Sequence, residues 1–473
     1  MAPSCGASMA ETIKGFVVAG PASGVGKTTV TLALMAAFRR RGLHVQPFKC
    51  GPDFIDAGHH TRACGRSSRN LDGWMLPGDR NRELFGRAAV GADLCIVEGV
   101  MGLFDGASGK SDVGSTAEMA KLLGLPVVLV VDASSVARSV AALVHGFETF
   151  DPKVRVLGVI FNKVAGPTHF ALLRDAVESA CGAAPLGCLP RDERIQVPER
   201  YLGLFTAGED LLPDSKLALL AEIAEAHIDM EKLLESAASF AALSTAGHSA
   251  RKIPNVRVGV ARDRAFCFYY EDNLDALRAA GAEIVEFSPV TDTALPARLD
   301  ALYFGGGYPE LYAGQLSTNE EMISSVKKFA DEKRAVYAEC GGLMYLANKI
   351  VTRDGQAFTM AGALPFDVQM ADRLVNFGYA EVSLAEDCLW GAAGTRARGH
   401  SFHCSTIVKR GTMDQTYRVS YTLGRREESE GFRIKNVLAS YIHLHFLSCP
   451  GLAATFVENL ERAKQKKFSK VAD

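Results

Sequence analysis

Short apolar runs alternate with helical periodicity through the first two hundred residues. Residues 13–19, 44–48, 93–97, 126–131 and 154–161 are strand candidates. The first runs into Gly20, the fourth into Asp132 and the fifth into Asn162. A Gly-rich turn and a helical stretch through Arg41 follow the first. Continuous apolar strands separated by helices predict a parallel sheet covered on both faces. Ligands of such sheets bind at the carboxyl ends of the strands. The pattern fades after about Asp210. Residues 217–240 read as helix, and the Ser-, Gly-, Lys- and Pro-containing stretch 244–255 reads as a linker. A second alternating pattern follows, with strand candidates at 256–261, 283–287, 301–304 and 335–338. Residues 412–433 are polar and charged and are expected to form an exposed excursion. Two α/β domains are therefore expected, at 12–240 and 255–462, with no internal repeat between them.

Composition narrows the class. The 473 residues are 48% hydrophobic and 22% charged, which suits folded domains with more than one core. A net charge of −2 disfavours nucleic-acid binding through bulk charge. The longest apolar run, 124–131, is too short to span a bilayer. The first residues lack the charged start and apolar core of a signal peptide. Eleven cysteines without a CxxC pair read as reduced thiols, so a cytoplasmic protein is expected.

Residues 20–29, GPASGVGKTT, follow the first strand and open a helix. Glycines such as Gly24 and Gly26 let backbone N–H groups curl around a phosphate chain, and the helix N-terminus adds positive potential. Lys27 can reach terminal phosphates, Thr28 can ligate Mg2+, and Thr29 completes the motif. A strict P-loop has Gly six residues before the Lys, where Pro21 stands here with Gly20 one place earlier. The sequence NKVA at 162–165 lacks the Asp of a guanine-reading loop, so ATP is the expected nucleotide. Asp53 and Glu98, Gly-flanked at strand ends, are metal candidates beside Thr28. Asp56 and Asp105 are expected near the substrate or intermediate. Arg62, Arg66 and Arg69 lie in a stretch without intervening acids, read either as a polycarboxylate site or as a solvated basic face.

In the second half, residues 335–343 read as strand, tight turn and helix with Cys340 at the turn. Such an elbow exposes a nucleophile, and the next N–H, that of Gly341, can stabilise an oxyanion. A helix N-terminus is expected to lower the thiol pKa. Gly306 and Gly307, in the GGGYPE turn that ends another strand, are further oxyanion-hole candidates. The segment SYIHLHF supplies two candidate bases, His443 and His445. His400 and His403 form another pair, without a third metal ligand.

Together these motifs resemble the cobyrinate a,c-diamide synthase family over about residues 14–460. The resemblance rests on SGVGKTT, VQPFKCGPDFIDAGHHT, GRSSRNLD and EGVMGLFDG in the first half. In the second it rests on ARDRAFCFYY, FSPVTD, GGGYPEL, AECGGLMYL, GHSFH and SYIHLHF. It implies a P-loop parallel-sheet domain similar to dethiobiotin synthetase, followed by a class I glutamine amidotransferase-like α/β domain. It implies glutamine hydrolysis at Cys340 assisted by His443, and ATP-driven phosphorylation of substrate carboxylates. Released ammonia then gives amides at the a and c acetates of cobyrinate, in cobalamin biosynthesis. Implied partners are a tetrapyrrole, L-glutamine and ATP with Mg2+, without nucleic acid or membrane, and a homodimer is the assembly considered. Three departures stand out. His445 occupies the place, two after the base, where class I enzymes carry Glu. Tyr201 replaces a family His, and Ser401 replaces the Glu of GHEFH. The alternatives are a sister enzyme acting on hydrogenobyrinate or nickel sirohydrochlorin, and a P-loop ATPase switch without glutaminase chemistry.

Overall fold

The computed structural model describes residues 12–197, 199–200, 203–204, 212–241, 254–422 and 426–472. Tyr201 and most of the 244–255 stretch lie outside the described residues. The chain divides into two compact units, Met1–Gly247 and His248–Asp473.

The first unit runs β1 (Thr12–Ala19), α1 (Lys27–Arg40), β2 (Val45–Cys50), α2 (Phe54–Cys64), β3 (Arg69–Leu71), α3 (Gly78–Ala88), β4 (Leu94–Glu98), α4 (Thr116–Leu123), β5 (Val127–Asp132), α5 (Ser139–Phe150), β6 (Val156–Val164), α6 (Pro167–Ala180) and β7 (Ala184–Pro190). A short hairpin, β8 (Glu199–Arg200) and β9 (Gly203–Leu204), precedes α7 (Asp214–His227), α8 (Met230–Ser236) and β10 (Ala238–Ala241). Strands β1 to β7 form one parallel sheet in the order β3-β2-β4-β1-β5-β6-β7. The order reverses at β1, the place where ligands enter open α/β sheets. Both faces are covered, one by a core that includes α1 and α7 and the other by α5 and α6. Asp53 and Ser115 cap α2 and α4 at their starts, and Gly65 and Gly124 end them in left-handed geometry.

One expected element changes. The 217–240 stretch is two helices and a strand, because Asp229 caps a new helix by accepting from the Lys232 N–H. Residues 238–241 then pair antiparallel with the start of β1.

The second unit runs β11 (Val256–Ala261), α9 (Glu271–Ala280), β12 (Ala282–Phe287), β13 (Ala301–Phe304), α10 (Ala313–Thr318), α11 (Glu320–Asp331), β14 (Ala335–Glu339) and α12 (Gly341–Leu346). It continues through β15 (Lys349–Val351), β16 (Ala357–Thr359), β17 (Asp367–Met370), β18 (Asn376–Leu384), β19 (Arg396–His403), β20 (Ser405–Val408), β21 (Asp414–Tyr421), β22 (Glu427–Ile434), β23 (Val437–Ser440), β24 (Ile442–Leu444) and α13 (Leu452–Ala472). Its main sheet has the order β12-β11-β13-β14-β23-β22-β21-β18-β19-β24, parallel as far as β23 and antiparallel beyond. Only Tyr441 separates β23 from β24, so the antiparallel part curls back on itself. The stretch expected as an exposed excursion is instead the β21–β22 hairpin of this sheet. Its alternation buries Tyr417, Val419 and Tyr421 in the core.

Arg66 is a correction. Its guanidinium donates to Gln46 Oε1 at 2.9 Å, Ala88 O at 3.1 Å, Val90 O at 2.9 Å and Gly91 O at 2.9 Å. It satisfies carbonyls at the C-terminal end of α3, which would otherwise lack partners, so its donors are committed to the fold rather than to a substrate. Arg66→Ala should lower stability by about 1–3 kcal/mol and the melting temperature by several degrees. The KM for a carboxylate-bearing substrate should stay unchanged. A raised KM at unchanged melting temperature would restore the substrate role.

Candidate functional site

In the first unit the chain leaves β1 in a loop that needs glycine. Gly24 and Gly26 have φ of 80° and 95°, a region costly for other residues. A side chain on Gly26 would also collide with Asn162, whose Nδ2 lies 1.9 Å from where a Cβ would be. Asn162, on β6, donates to Val25 O at 3.0 Å and braces the loop. Lys27 donates to Ala22 O at 2.9 Å and to Met101 O at 2.6 Å, drawing the β4 loop against the glycine loop. Thr28 and Thr29 sit in the first turn of α1.

A buried ionic cluster lies beside this loop. Thr28 Oγ1 donates to Glu98 Oε1 at 2.8 Å and reaches Asp56 at 3.4 Å. The Lys49 ammonium donates to Asp56 Oδ2 at 2.5 Å, Glu98 Oε1 at 2.9 Å and Gly99 O at 3.2 Å. His60 Nε2 meets Glu98 Oε2 at 2.6 Å. Burial opposes charge here, but Lys49 and His60 outweigh it and hold the Glu98 carboxyl far below its usual range. Burial also opposes the Lys49 charge, yet Asp56 and Glu98 keep it firmly protonated. Sequence reading missed Lys49 and His60. Their only signal was two basic side chains flanking the Asp53–Asp56 segment.

The acids expected at the metal and substrate positions separate. Asp53 Oδ1 accepts from the Ile55 and Asp56 N–H groups, so it serves as the cap of α2. Asp56 and Glu98 are the pair that converges on Thr28. Asp105 Oδ2 accepts from the Gly102 N–H in the β4 loop. Arg62 pairs with Asp214 at 2.8 Å on the surface, and Arg69 lies in β3 beside β2. Among the described residues no set of three or more His, Cys, Asp or Glu forms a metal cage by itself. Two carboxylates and a hydroxyl beside a phosphate loop nevertheless suit Mg2+, which takes few protein ligands and completes its shell with phosphate and water.

In the second unit Cys340 has φ 45° and ψ −101°, a strained conformation between β14 and α12. The next two residues must be small. A Cβ on Gly341 would lie 3.0 Å from Gly307 N, and one on Gly342 would lie 2.5 Å from Phe304 O. Gly342 N donates to Gly305 O at 3.0 Å, joining the elbow to the glycine turn after β13. His443 packs against that turn, since a Cβ on Gly306 would lie 2.3 Å from His443 Cε1. His400 stacks on the His443 ring, with centroids 4.8 Å apart. Gly306 is a correction as an oxyanion donor, because its N–H already bonds Phe268 O at 3.2 Å. The Gly341 backbone favours the ionised Cys340 sulfur, against the larger effect of burial. The oxyanion reading now rests on Gly307 and Gly341.

Two family models match the chain. A CobQ/CobB/MinD/ParA nucleotide binding domain covers residues 16–204, and a CobB/CobQ-like glutamine amidotransferase domain covers 257–450. Cobyrinate a,c-diamide synthase of Syntrophotalea carbinolica is 46% identical, over 94% of this chain and 98% of its own length. The proteins of that name from Priestia megaterium and Streptococcus sanguinis are 40% and 41% identical. They match over 96% and 95% of this chain, and 98% and 100% of their own lengths. The chain belongs to the cobyrinate a,c-diamide synthase family.

For a member of this synthase family the resting state of Cys340 is notable. The expected lowering of the thiol pKa by the helix is reversed, because burial, followed by the Glu310 charge, pushes the thiol up. Burial likewise pushes the His443 imidazole down to about 3. Both groups are neutral at neutral pH. Alkylation of Cys340 in the glutamine-free protein, followed by peptide mass mapping, should be slow near neutrality and rise about tenfold per pH unit. A rate independent of pH between about 6 and 9 would mean a thiolate already present and contradict this.

Proposed function

We propose that this protein is an ATP- and glutamine-dependent ligase that amidates the a and c acetate carboxylates of cobyrinate in cobalamin biosynthesis. One observation carries the reading: Cys340, on a strained elbow against Gly305–Gly307, shares a chain with a nucleotide site built on Lys27, Thr28 and Glu98. A nucleotide switch would have no use for the first of these, which disfavours that alternative. The relatives' shared name favours cobyrinate over hydrogenobyrinate or nickel sirohydrochlorin. Among the described residues no helix is long and apolar enough to cross a membrane, and we place the enzyme in the cytoplasm.

The glutaminase half begins with transfer of the Cys340 proton to His443 as glutamine binds. The sulfur attacks the side-chain carbonyl carbon, forming a C–S bond and an oxyanion facing the Gly307 and Gly341 N–H groups. His443 returns the proton to the amide nitrogen, the C–N bond breaks and ammonia leaves. Water then attacks the thioester, giving up a proton to His443. The C–S bond breaks, glutamate is released, and the thiol is restored.

In the nucleotide half, a carboxylate is a poor acyl donor until its oxygen is phosphorylated. Lys27, released from its two carbonyl partners, is placed to hold the transferring phosphate. Thr28, Asp56 and Glu98 would hold Mg2+, which neutralises phosphate charge during transfer. Lys49, already between the two carboxylates, keeps them oriented and adds positive charge. Ammonia attacks the acyl carbon, the C–O bond to phosphate breaks, and the amide and phosphate leave.

The division of labour is testable. Cys340→Ser should abolish glutamine-driven amidation, because a hydroxyl there is a far weaker nucleophile. Added ammonium salt at raised pH should restore it. Lys27→Ala should lose activity with either nitrogen source. Full glutamine-driven activity in Cys340→Ser would overturn the glutaminase reading. Failure of ammonia to rescue the folded variant would overturn the two-site scheme.

A further inference from the structure

A base that accepts a proton at Nε2 works best with an acid holding its Nδ1. Class I amidotransferases carry that acid two residues after the His, and here the position is His445. It cannot serve. It is fully buried with its ring 4.5 Å from that of Tyr270, and burial pushes its pKa down to about 3. Neither of its ring nitrogens has a hydrogen-bond partner among the described residues.

A different carboxylate lies beside His443. Glu339 is the last residue of β14, immediately before the nucleophile, and is 1% exposed. Its Oε2 is 3.8 Å from His443 Nδ1. The same oxygen accepts from Tyr303 OH at 3.0 Å. Its other oxygen accepts from Tyr337 OH at 2.8 Å and from the Leu444 N–H at 3.1 Å. The carboxylate therefore has three donors from three strands, and one of them, Leu444, adjoins His443. The Nδ1 distance is longer than a formed hydrogen bond. Catalytic hydrogen bonds are often long in ligand-free proteins and tighten when substrate binds.

We propose that Glu339 is the positioning carboxylate of the Cys340–His443 pair, taking His443 Nδ1 so that Nε2 faces the thiol and stabilising the imidazolium formed during attack. The acid thus comes from the strand that delivers the nucleophile, rather than from the segment that delivers the base. The inference rests on the glutaminase reading above.

The titratable groups facing Glu339 are Tyr303 on β13, Tyr337 on β14, His443 on β24 and its neighbour Cys340, with Tyr269 and Tyr417 further out. Burial pushes the Glu339 carboxyl up to about 8, against the hydrogen bonds that favour its ionised form. Only the ionised form brings the charge that stabilises the imidazolium, so glutamine use should rise as pH passes through about 8.

The test compares wild type, Glu339→Gln and Tyr303→Phe in the full-length enzyme, with glutamine or ammonium salt, across about pH 6 to 10. Glu339→Gln should lower the glutamine-driven kcat about a hundredfold. The glutamine KM and the ammonia-driven rate should hold, and the limb near pH 8 should vanish. Tyr303→Phe keeps the carboxylate but removes a donor to its ionised form, so the limb should move to higher pH. A Glu339→Gln enzyme with wild-type glutamine turnover, or one that loses both nitrogen sources equally, would overturn the proposal. So would an unmoved limb in Tyr303→Phe. Those results leave the glutaminase reading standing, since that reading falls only if Cys340→Ser keeps glutamine-driven activity.

Discussion

Burying a carboxylate costs several kcal/mol unless cations or hydrogen-bond donors surround it. Both units are organised around that constraint. In the first, Glu98 is fully buried and tied to Lys49, His60 and Thr28. In the second, Glu339 is buried among Tyr303, Tyr337 and the Leu444 N–H, with His443 beside it. Each acid ends a parallel strand, and each brings together segments far apart in the chain. Lys49 and Glu98 are linked across β2 and β4, and Glu339 ties β13, β14 and β24. Satisfying the acid and assembling the reactive groups are the same act of folding.

The second constraint is steric. Chemistry at a strand end needs backbone close to substrate, so side chains must be absent there. Gly26 leaves room for Asn162, Gly306 for His443, and Gly342 for the backbone of Phe304. Cys340 is among the non-glycine residues held at positive φ, at 45°. That strain holds the sulfur out of the strand, where an ordinary rotamer on regular backbone could not present it.

Features set by residues close in sequence were legible from the chain alone. The glycine turns after β1 and β13, the elbow at Cys340 and the nine apolar strand candidates all come from spacing within about ten residues. Features set by distant pairs were not. Lys49 meets Glu98 across 49 positions, and His443 meets Glu339 across 104, separations that periodicity does not encode. Arg66 read as a substrate group because no acid lies near it in sequence, whereas its partners are mainly backbone carbonyls, which have no sequence signature. Asp53 was expected at the metal and Asp56 near the substrate, but the start of α2 gives Asp53 a capping role and brings Asp56 to Thr28. The β21–β22 hairpin was missed despite a period-two signal in QTYRVSY, because its charged outward face masked the buried one.

The central claim is that one chain makes ammonia at one site and uses it to amidate a phosphorylated carboxylate at another. The most direct measurement supplies the purified enzyme with cobyrinate, ATP, Mg2+ and glutamine labelled at its side-chain amide nitrogen, then takes the mass of the tetrapyrrole and counts ADP and glutamate. The account predicts two labelled amides per product, with one ADP and one glutamate for each amide. ADP and glutamate accumulating while the label stays out of the tetrapyrrole would contradict it.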